Sequence, residues 1–217
     1  MTKITVQMKE WMEDFGKKYT NRNALTLDEM NEMYRKNFGM SREDLNNKFI
    51  DEMNQSIKIL EVGSNIGNQL ILLQKMGFKN LYGIEINSYA VELSKQRTKD
   101  INIIQGSAFD IPFRDNYFDL IFTSGLLIHI APPDIEIVIQ EIHRCAKEYI
   151  WGFEYYSDKY TEIVYRKKKN LLWKANFSKM YLDLFGDLEL VKERKLKYLN
   201  DNNVDSMFLL RKKVNRK

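Results

Sequence analysis

The sequence predicts an α/β fold, with a mostly parallel sheet and helices on both of its faces. Short apolar, β-branched segments alternate with helical patterns from residue 57 onward, as expected for strand–helix–strand units. The first of these strands runs into a helix through a glycine-containing stretch, IKILEVGSNIGN at 57–68. The last two strands are separated by too few residues for a crossover helix, so we expect them to pair antiparallel.

Length and composition indicate one globular domain. A chain of 217 residues with 44% hydrophobic side chains can bury a substantial core. We expect residues 1–55, which lack strand patterns, to form a helical cap on a core of residues 56–217. No apolar run approaches the roughly 20 residues that cross a bilayer, and the first residues lack the apolar centre of a signal peptide. We therefore expect a cytoplasmic protein that does not enter a membrane.

Charge and cysteine content exclude several classes of protein. The net charge is only +4, from 34 basic and 30 acidic residues, which is too balanced to indicate a nucleic-acid partner. Two basic runs, at 166–169 and 211–217, are either solvated or attract an anionic substrate such as a phosphate-bearing sugar. The single cysteine, Cys145, allows no internal disulfide and no zinc cluster, and we expect it to be a small buried residue.

The boundaries of the N-terminal helices can be predicted from capping residues. Thr26 with Glu29, and Ser41 with Asp44, have the spacing of capping boxes at helix starts. Gly39 is expected to end the first of these two helices.

The stretch after the first strand has the spacing of a ligand-binding turn. Glu61 precedes Gly63 by two residues, and Gly67 follows where the helical pattern begins. Glycines allow the backbone to bend sharply and to lie against a ligand, and the free N–H groups of the next helix would face that ligand. A dinucleotide fingerprint, G-x-G-x-x-G, is excluded because Asn65 and Asn68 occupy two of its glycine positions. An ordinary tight strand-to-helix turn is the alternative.

An acidic residue follows at the distance that ribose binding requires. Glu85 ends the second strand about 20 residues after the first glycine, and a carboxylate there can accept hydrogen bonds from both ribose hydroxyls. A Rossmann oxidoreductase shares this acid but not the glycine spacing. The fourth strand, in YFDLIFTSGLLIHI, ends at Ser124, where open α/β sheets bind their ligands.

These features together resemble class I S-adenosylmethionine-dependent methyltransferases, whose first motif is usually E/D-x-G-x-G-x-G. Asn65 stands where the middle glycine is most common, and asparagine tolerates the left-handed conformation best among the other residues. The resemblance implies a Rossmann-like, seven-stranded sheet with an antiparallel last strand and S-adenosylmethionine as cofactor. It implies these cofactor-binding residues in the core: Glu61, Gly63, Ser64, Asn65, Gly67, Glu85, Ile86, Ser107, Ala108 and Ser124.

One of these positions departs from the family pattern. The loop after the third strand, GSAFDIPF, has Ser107 where the family has an acid that contacts the adenine amine. Backbone contacts at Ser107 and Ala108 can remain, whereas a serine does not supply the carboxylate that contacts the adenine amine.

Residues of the cap supply further candidates for the cofactor site. The segment at 11–23, WMEDFGKKYTNRN, contains Tyr19 and Arg22 among several aromatic side chains. Under the resemblance, these two residues are expected to close over the cofactor, because an arginine pairs well with a carboxylate such as that of the methionine moiety. Packing of the segment onto the core is the alternative.

Two residues are candidates for the base that would remove a proton from a hydroxyl or amine acceptor. His129 lies five residues after Ser124, near the expected methyl group. The alternative is a packed histidine whose ring bonds to the backbone. Glu154, at the end of the fifth strand, is the second candidate. His143 is expected to face solvent from a helix.

A narrower resemblance suggests the acceptor. The strings FGKKYTNRN, LIHIAPPD and EYY are similar to small methylases associated with the biosynthesis of pseudaminic acid, a bacterial sugar. The implied function is N- or O-methylation of a small polar acceptor, a sugar or nucleotide-sugar. A non-catalytic S-adenosylmethionine-binding scaffold on the same fold is the alternative. RNA or protein methylation is disfavoured, because no N-P-P-Y-like or D-P-P-Y-like string follows the fourth strand.

Overall fold

The computed structural model describes residues 4–213, so residues 214–217 of the second basic run lie outside the described residues. Nine strands occur in this part of the chain. In chain order they are β1 Lys58–Val62, β2 Asn80–Glu85, β3 Asn102–Gln105, β4 Phe118–Ser124, β5 Ala146–Tyr155, β6 Thr161–Glu162, β7 Trp173–Lys174, β8 Leu188–Lys197 and β9 Val204–Lys212.

Eight α-helices occur in the same described range. They are α1 Val6–Met12, α2 Asp14–Arg22, α3 Leu27–Phe38, α4 Arg42–Ile50, α5 Asn68–Lys75, α6 Ser88–Arg97, α7 Ile135–Cys145 and α8 Phe177–Leu184. Each helix between residues 4 and 213 is too short or too polar to cross a bilayer.

Seven of the strands form one sheet in the order β3-β2-β1-β4-β5-β9-β8. The first five are parallel to their neighbours, and β9 runs antiparallel to both β5 and β8. The predicted seven-stranded sheet and its antiparallel last strand are therefore confirmed. The strand order reverses between β1 and β4, and in open α/β sheets ligands bind in the crevice at such a reversal.

Alternating side chains of the strands build a core on each face of the sheet. Leu60 and Val62 of β1 join the cluster that α7 and α8 cover. Ile59, which precedes Leu60 in β1, joins the opposite cluster, which α3, α4 and α5 cover. Helices on both faces were predicted and are confirmed, and the completely buried Cys145 lies in the first cluster as expected.

The predicted capping boxes are present in the cap. The hydroxyls of Thr26 and Ser41 accept hydrogen bonds from the backbone N–H groups of Glu29 and Asp44, at 3.2 Å and 3.0 Å. Gly39 ends α3 in the left-handed conformation, with φ at 74°. These helix boundaries follow from local chemistry, which is why the sequence predicts them well.

The segment between β5 and β8 contains structure that the sequence did not predict. β6 and β7 form a separate two-stranded sheet, and α8 follows, capped by the side chain of Asn176. Strands of two residues are too short to show periodicity, so only their tertiary contacts define them.

The expectation that His143 faces solvent is wrong. Its ring stacks on Phe185 with centroids 3.8 Å apart, and its Nε2 lies 3.0 Å from a carboxylate oxygen of Asp187. The segment that follows α8 packs over the last turn of α7. The spacing of residues within α7 does not predict this contact, because it is a tertiary one.

We expect Gly152→Ala to destabilise the fold by about 1–3 kcal/mol, the usual effect of overpacking a core. A methyl group at this position of β5 would lie 2.2 Å from Cζ of Phe208 on β9. Urea unfolding of both proteins measures the difference. Gly186→Ala is the matched control, since a methyl group there would meet no atom within 4 Å. Equal losses in the two variants would contradict this packing analysis.

Candidate functional site

A pocket lies at the carboxyl ends of β1, β2 and β4. The loop after each of these strands contributes to its lining, as does the loop after β3. The N-terminal helices α1 and α2, which we call the lid, and parts of α3 and α5 also contribute. Eleven of the fourteen residues that the sequence predicts for the site line this pocket: Tyr19, Glu61, Gly63, Ser64, Asn65, Glu85, Ile86, Ser107, Ala108, Ser124 and His129. The other three, Arg22, Gly67 and Glu154, are not part of the lining.

The turn from β1 into α5 has the left-handed backbone that its sequence indicates. The φ angles of Gly63, Asn65 and Gly67 are 78°, 47° and 83°, so Asn65 adopts the conformation expected of it. A Cβ atom at Gly63 would lie 2.8 Å from the side chain of Leu126, and one at Gly67 would lie 2.8 Å from Ile103. Both glycines are therefore required by the backbone and by close packing within the protein.

Glu85 lies in the pocket wall and receives hydrogen bonds from two backbone N–H groups. The amide of Asn65 donates to its Oε2 at 2.9 Å, and the amide of Asn87 donates to its Oε1 at 2.8 Å. Burial raises the pKa of this carboxyl, although backbone hydrogen bonds, those of Asn87 and Asn65 first, oppose the shift. A carboxylate can accept about four hydrogen bonds, so Glu85 can still accept hydrogen bonds from a ligand.

The same two asparagines attach the lid to the core. The side-chain amide of Asn65 donates to the hydroxyl of Thr20 in α2 at 3.0 Å. That of Asn87 donates to the carbonyl of Trp11 in α1 at 2.6 Å. Helix α2 can approach α1 closely because Gly16 has no side chain. A Cβ atom at Gly16 would lie 1.9 Å from the Trp11 carbonyl oxygen. Asn65 thus gives the glycine turn a contact that glycine itself could not make.

Several buried polar atoms of the pocket lining have no hydrogen-bond partner within the described residues. They are the indole Nε1 of Trp11, Oε2 of Glu61, Oγ of Ser64 and Oε1 of Gln69. Burial also raises the pKa of Glu61 well above its usual value, and the nearby Arg42 charge opposes this shift. Unsatisfied buried polar groups are rare in proteins, so a group of them around one pocket indicates a polar ligand.

His129 lines the pocket and is also held by the backbone. Its Nδ1 lies 2.7 Å from the carbonyl oxygen of Leu171. A carbonyl oxygen can only accept, so Nδ1 carries the hydrogen and Nε2 keeps a lone pair in the neutral ring. The ring packs 4.4 Å from that of Trp11, which in turn lies 5.1 Å from that of Tyr19. Burial lowers the pKa of His129 to about 4, so its ring is neutral at pH 7.

Ser107 and Ala108 line the pocket, where the loop after β3 closes one side. The hydroxyl of Ser107 accepts a hydrogen bond from the backbone N–H of Phe109 at 3.2 Å. This side chain therefore stabilises the turn of its own loop.

Glu154 was expected at the site as a second base, and the structure places it behind the pocket instead. Only 1% of this residue is exposed, and its carboxylate accepts hydrogen bonds from the backbone N–H groups of Leu126 and Ile128 at 3.2 Å and 3.4 Å. Burial raises its pKa to about 7. Glu154 thus holds the loop that carries His129.

Arg22 also lies elsewhere than expected. Its side chain is exposed at the end of α2, with the guanidinium carbon 6.0 Å from the centre of the Tyr19 ring. Gly67 caps α5 beside Thr98 and Ile103. Arg22 was expected at the cofactor because an arginine pairs well with a carboxylate, but the packing of α2 leaves its side chain exposed.

Other lining residues were not identified from the sequence. Trp11 belongs to the segment at 11–23, where only Tyr19 and Arg22 were singled out. Tyr34 lies on the apolar stripe of α3, and its hydroxyl accepts a hydrogen bond from the completely buried Arg42 at 2.9 Å. Its helical spacing indicates only packing, so nothing local distinguishes it as a pocket residue.

Part of the chain that forms this pocket is similar to known proteins. A family model described as a methyltransferase domain matches residues 60–149. The phosphoethanolamine N-methyltransferase of Plasmodium falciparum is 26% identical over 184 residues, covering 75% of this chain and 69% of the relative. Sterol methyltransferase-like 3 of Botryococcus braunii is 28% identical over 97 residues, covering 42% of this chain and 24% of the relative. Residues 60–149 thus resemble a methyltransferase domain, and the chain spans about a quarter of the second relative.

Solved structures agree on the fold. The PH0226 protein of Pyrococcus horikoshii superimposes with a TM-score of 0.64 at 17% identity, covering 94% of this chain and 96% of that one. An S-adenosylmethionine-dependent methyltransferase of Methanosarcina mazei gives 0.61 at 17% identity, covering 76% and 96%. The predicted Rossmann-like methyltransferase fold is confirmed, and the methyltransferase domain together with these neighbours implies S-adenosylmethionine as the cofactor.

We expect Asn65→Gly to loosen the lid although it restores the more common family residue. The variant loses the hydrogen bond to Thr20, which contributes about 0.5–1.5 kcal/mol. Backbone amides of α2 should then exchange hydrogen faster, as measured by mass spectrometry on the ligand-free protein. Thr20→Val removes the same bond from its other side, so the double variant should exchange no faster than either single variant. Unchanged exchange in both single variants would contradict a role for this bond.

Proposed function

We propose that this protein transfers a methyl group from S-adenosylmethionine to a small polar acceptor, a sugar or a nucleotide-sugar. The observation that carries the proposal is the group of unpartnered polar atoms around a pocket that also contains Glu85. Glu61 and Ser64 belong to β1 and the turn after it, and Trp11 belongs to α1. A ligand with both cationic and hydroxyl groups would satisfy them. The resemblance of three short strings to sugar-associated methylases supports this choice of acceptor.

Each part of the cofactor would meet a different part of the pocket. Glu85 would accept hydrogen bonds from the two ribose hydroxyls, through the lone pairs that Asn65 and Asn87 leave free. Glu61 would attract the ammonium group of the methionine moiety, and the backbone at Ser107 and Ala108 would contact the adenine. The absence of an acid at Ser107 is compatible with this assignment, because Ser107 and Ala108 still line the pocket.

The chemistry assigned to the protein is alignment and proton removal. S-adenosylmethionine supplies an activated methyl group, which leaves its sulfur in a direct displacement. The lid would exclude water from the reacting atoms, and the pocket walls would hold the acceptor in line. His129 would take the acceptor proton on Nε2, because Nδ1 is bonded to Leu171. Glu154 would position the loop of His129 and would not itself contact the acceptor.

A non-catalytic scaffold that binds S-adenosylmethionine is the second candidate function. Two observations favour it: the lost acid at Ser107 and the weak basicity of His129. Incubation with labelled S-adenosylmethionine and a panel of amino sugars and nucleotide-sugars distinguishes the two. Transfer of label to an acceptor supports the enzyme, whereas tight cofactor binding without transfer to any acceptor supports the scaffold.

We expect Glu85→Ala to weaken binding of S-adenosylhomocysteine, the demethylated cofactor, by about 1–3 kcal/mol through the loss of a charged hydrogen-bond acceptor. Isothermal calorimetry measures the dissociation constants. Glu92→Ala, which removes an exposed acid of α6, is the matched control and should bind S-adenosylhomocysteine like the wild type. Glu85→Gln keeps one amide oxygen and should fall between the two. An unchanged dissociation constant in Glu85→Ala, or no binding of S-adenosylhomocysteine by the wild type, would refute the proposal.

We expect His129 to stay neutral from pH 8 to below pH 5, because its pKa is lowered to about 4. Nε2 is protonated only as the pH falls through that value, so the base is lost in acid and present at neutral pH. Nuclear magnetic resonance titration of the imidazole Cε1–H measures this directly, and a midpoint near 6.5 would contradict it.

His129→Gln should lower turnover by about 10²–10⁴-fold, whereas His143→Gln, outside the pocket, should not.

A further inference from the structure

Charge is distributed unevenly between the pocket and its surroundings. Within residues 4–213, the lining includes the carboxylates of Glu61 and Glu85 but neither lysine nor arginine. Such an interior suits a cationic ligand and disfavours an anionic one. An acceptor with a negatively charged group must therefore keep that group outside.

Cations are concentrated just outside, on the turn at the tip of the β6–β7 hairpin. This turn, residues 165–169, includes the basic run Arg166, Lys167, Lys168 and Lys169, all exposed. It begins at Tyr165, whose ring lies 5.7 Å from that of His129 and 6.0 Å from that of Phe15 in the lid. The same hairpin supplies the Leu171 carbonyl that holds His129. The basic turn is thus anchored directly beside the candidate base.

Contacts with α1 fix the turn at the edge of the pocket. The side chain of Gln7, which lines the pocket, donates to the carbonyl of Asn170 at 3.0 Å. Lys168 forms an ion pair with Glu10. Among the described residues, Arg166, Lys167 and Lys169 form no ion pair with a carboxylate. Three positive charges therefore remain available to a ligand.

The backbone of the turn is unfavourable for the residues that occupy it. Tyr165 and Lys168 exchange two backbone hydrogen bonds of 2.9 Å, and the two residues between them have φ angles of 48° and 66°. This geometry is that of a type I′ turn, which asparagine and glycine favour. A left-handed backbone is unfavourable for arginine and lysine, because their Cβ atom lies too close to the following carbonyl oxygen. The presence of Arg166 and Lys167 at these unfavourable positions is explained if their charges have a function.

We propose that Arg166 and Lys167 bind a phosphate or diphosphate group of the acceptor while its reacting end enters the pocket. This inference rests on the proposed function and specifies its acceptor as a phosphorylated small molecule with an uncharged or cationic reacting end. Arginine suits the site because its guanidinium pairs with two phosphate oxygens at once. Inorganic pyrophosphate is the simplest probe that carries this chemistry.

The experiment is a pyrophosphate titration of the protein saturated with S-adenosylhomocysteine, followed by calorimetry and by amide chemical shifts. The test variant, Arg166→Asn with Lys167→Gly, removes two charges and installs the residues that a type I′ turn favours, so the hairpin is preserved. We expect its pyrophosphate dissociation constant to rise at least tenfold, with a melting temperature no lower than that of the wild type and no change in cofactor affinity. The control, Lys36→Gln with Lys99→Gln, removes two exposed charges elsewhere and should bind as the wild type does.

Other outcomes overturn the proposal in distinguishable ways. Equal pyrophosphate affinity in the test and control variants, or shifts confined to residues away from 165–170, excludes a site at the turn. Binding to phosphatidylserine vesicles that pyrophosphate does not displace assigns the turn to a lipid surface instead. Failure of the wild type to bind S-adenosylhomocysteine refutes the proposed function, whereas cofactor binding without pyrophosphate binding refutes only this inference.

Discussion

The carboxylate of Glu85 organises the site, because both residues that bond to it also hold the lid. Asn65 and Asn87 each donate a backbone N–H to one of its oxygens. Their side chains then reach Thr20 of α2 and the Trp11 carbonyl of α1. One buried acid therefore fixes the turn after β1, the start of α6 and the position of both lid helices. A ligand that bonds to Glu85 would act on all of these elements together.

Three buried acidic side chains lie near the carboxyl ends of the strands. Glu61, Glu85 and Glu154 are each at most 8% exposed, and burial raises the pKa of all three. The nearest buried cation, Arg42, bonds to Tyr34 and Asn46 and does not line the pocket. The interior is thus short of positive charge, and this deficit matches the cationic sulfur and ammonium of the implied cofactor.

Much of the fold could be predicted from the sequence, because the deciding signals are local. Strand periodicity, the capping boxes at Thr26 and Ser41, and the short β8–β9 connection each depend on neighbouring residues. The glycine turn was located for the same reason. By contrast, Arg22 and Glu154 were expected to face the pocket, but the direction of a side chain depends on tertiary packing. The β6–β7 hairpin was missed because its strands are too short to show a pattern.

The placement of tryptophan gives the protein an internal optical reporter. Of the three indoles in the chain, those of Trp151 and Trp173 are buried in the core, with 1% and 4% exposure. Trp11 alone among these lines the pocket, with its ring between His129 and Tyr19. Its emission is therefore sensitive to whatever occupies the space beside it, and the other two supply a constant background. Occupancy can be followed in real time without attaching a dye.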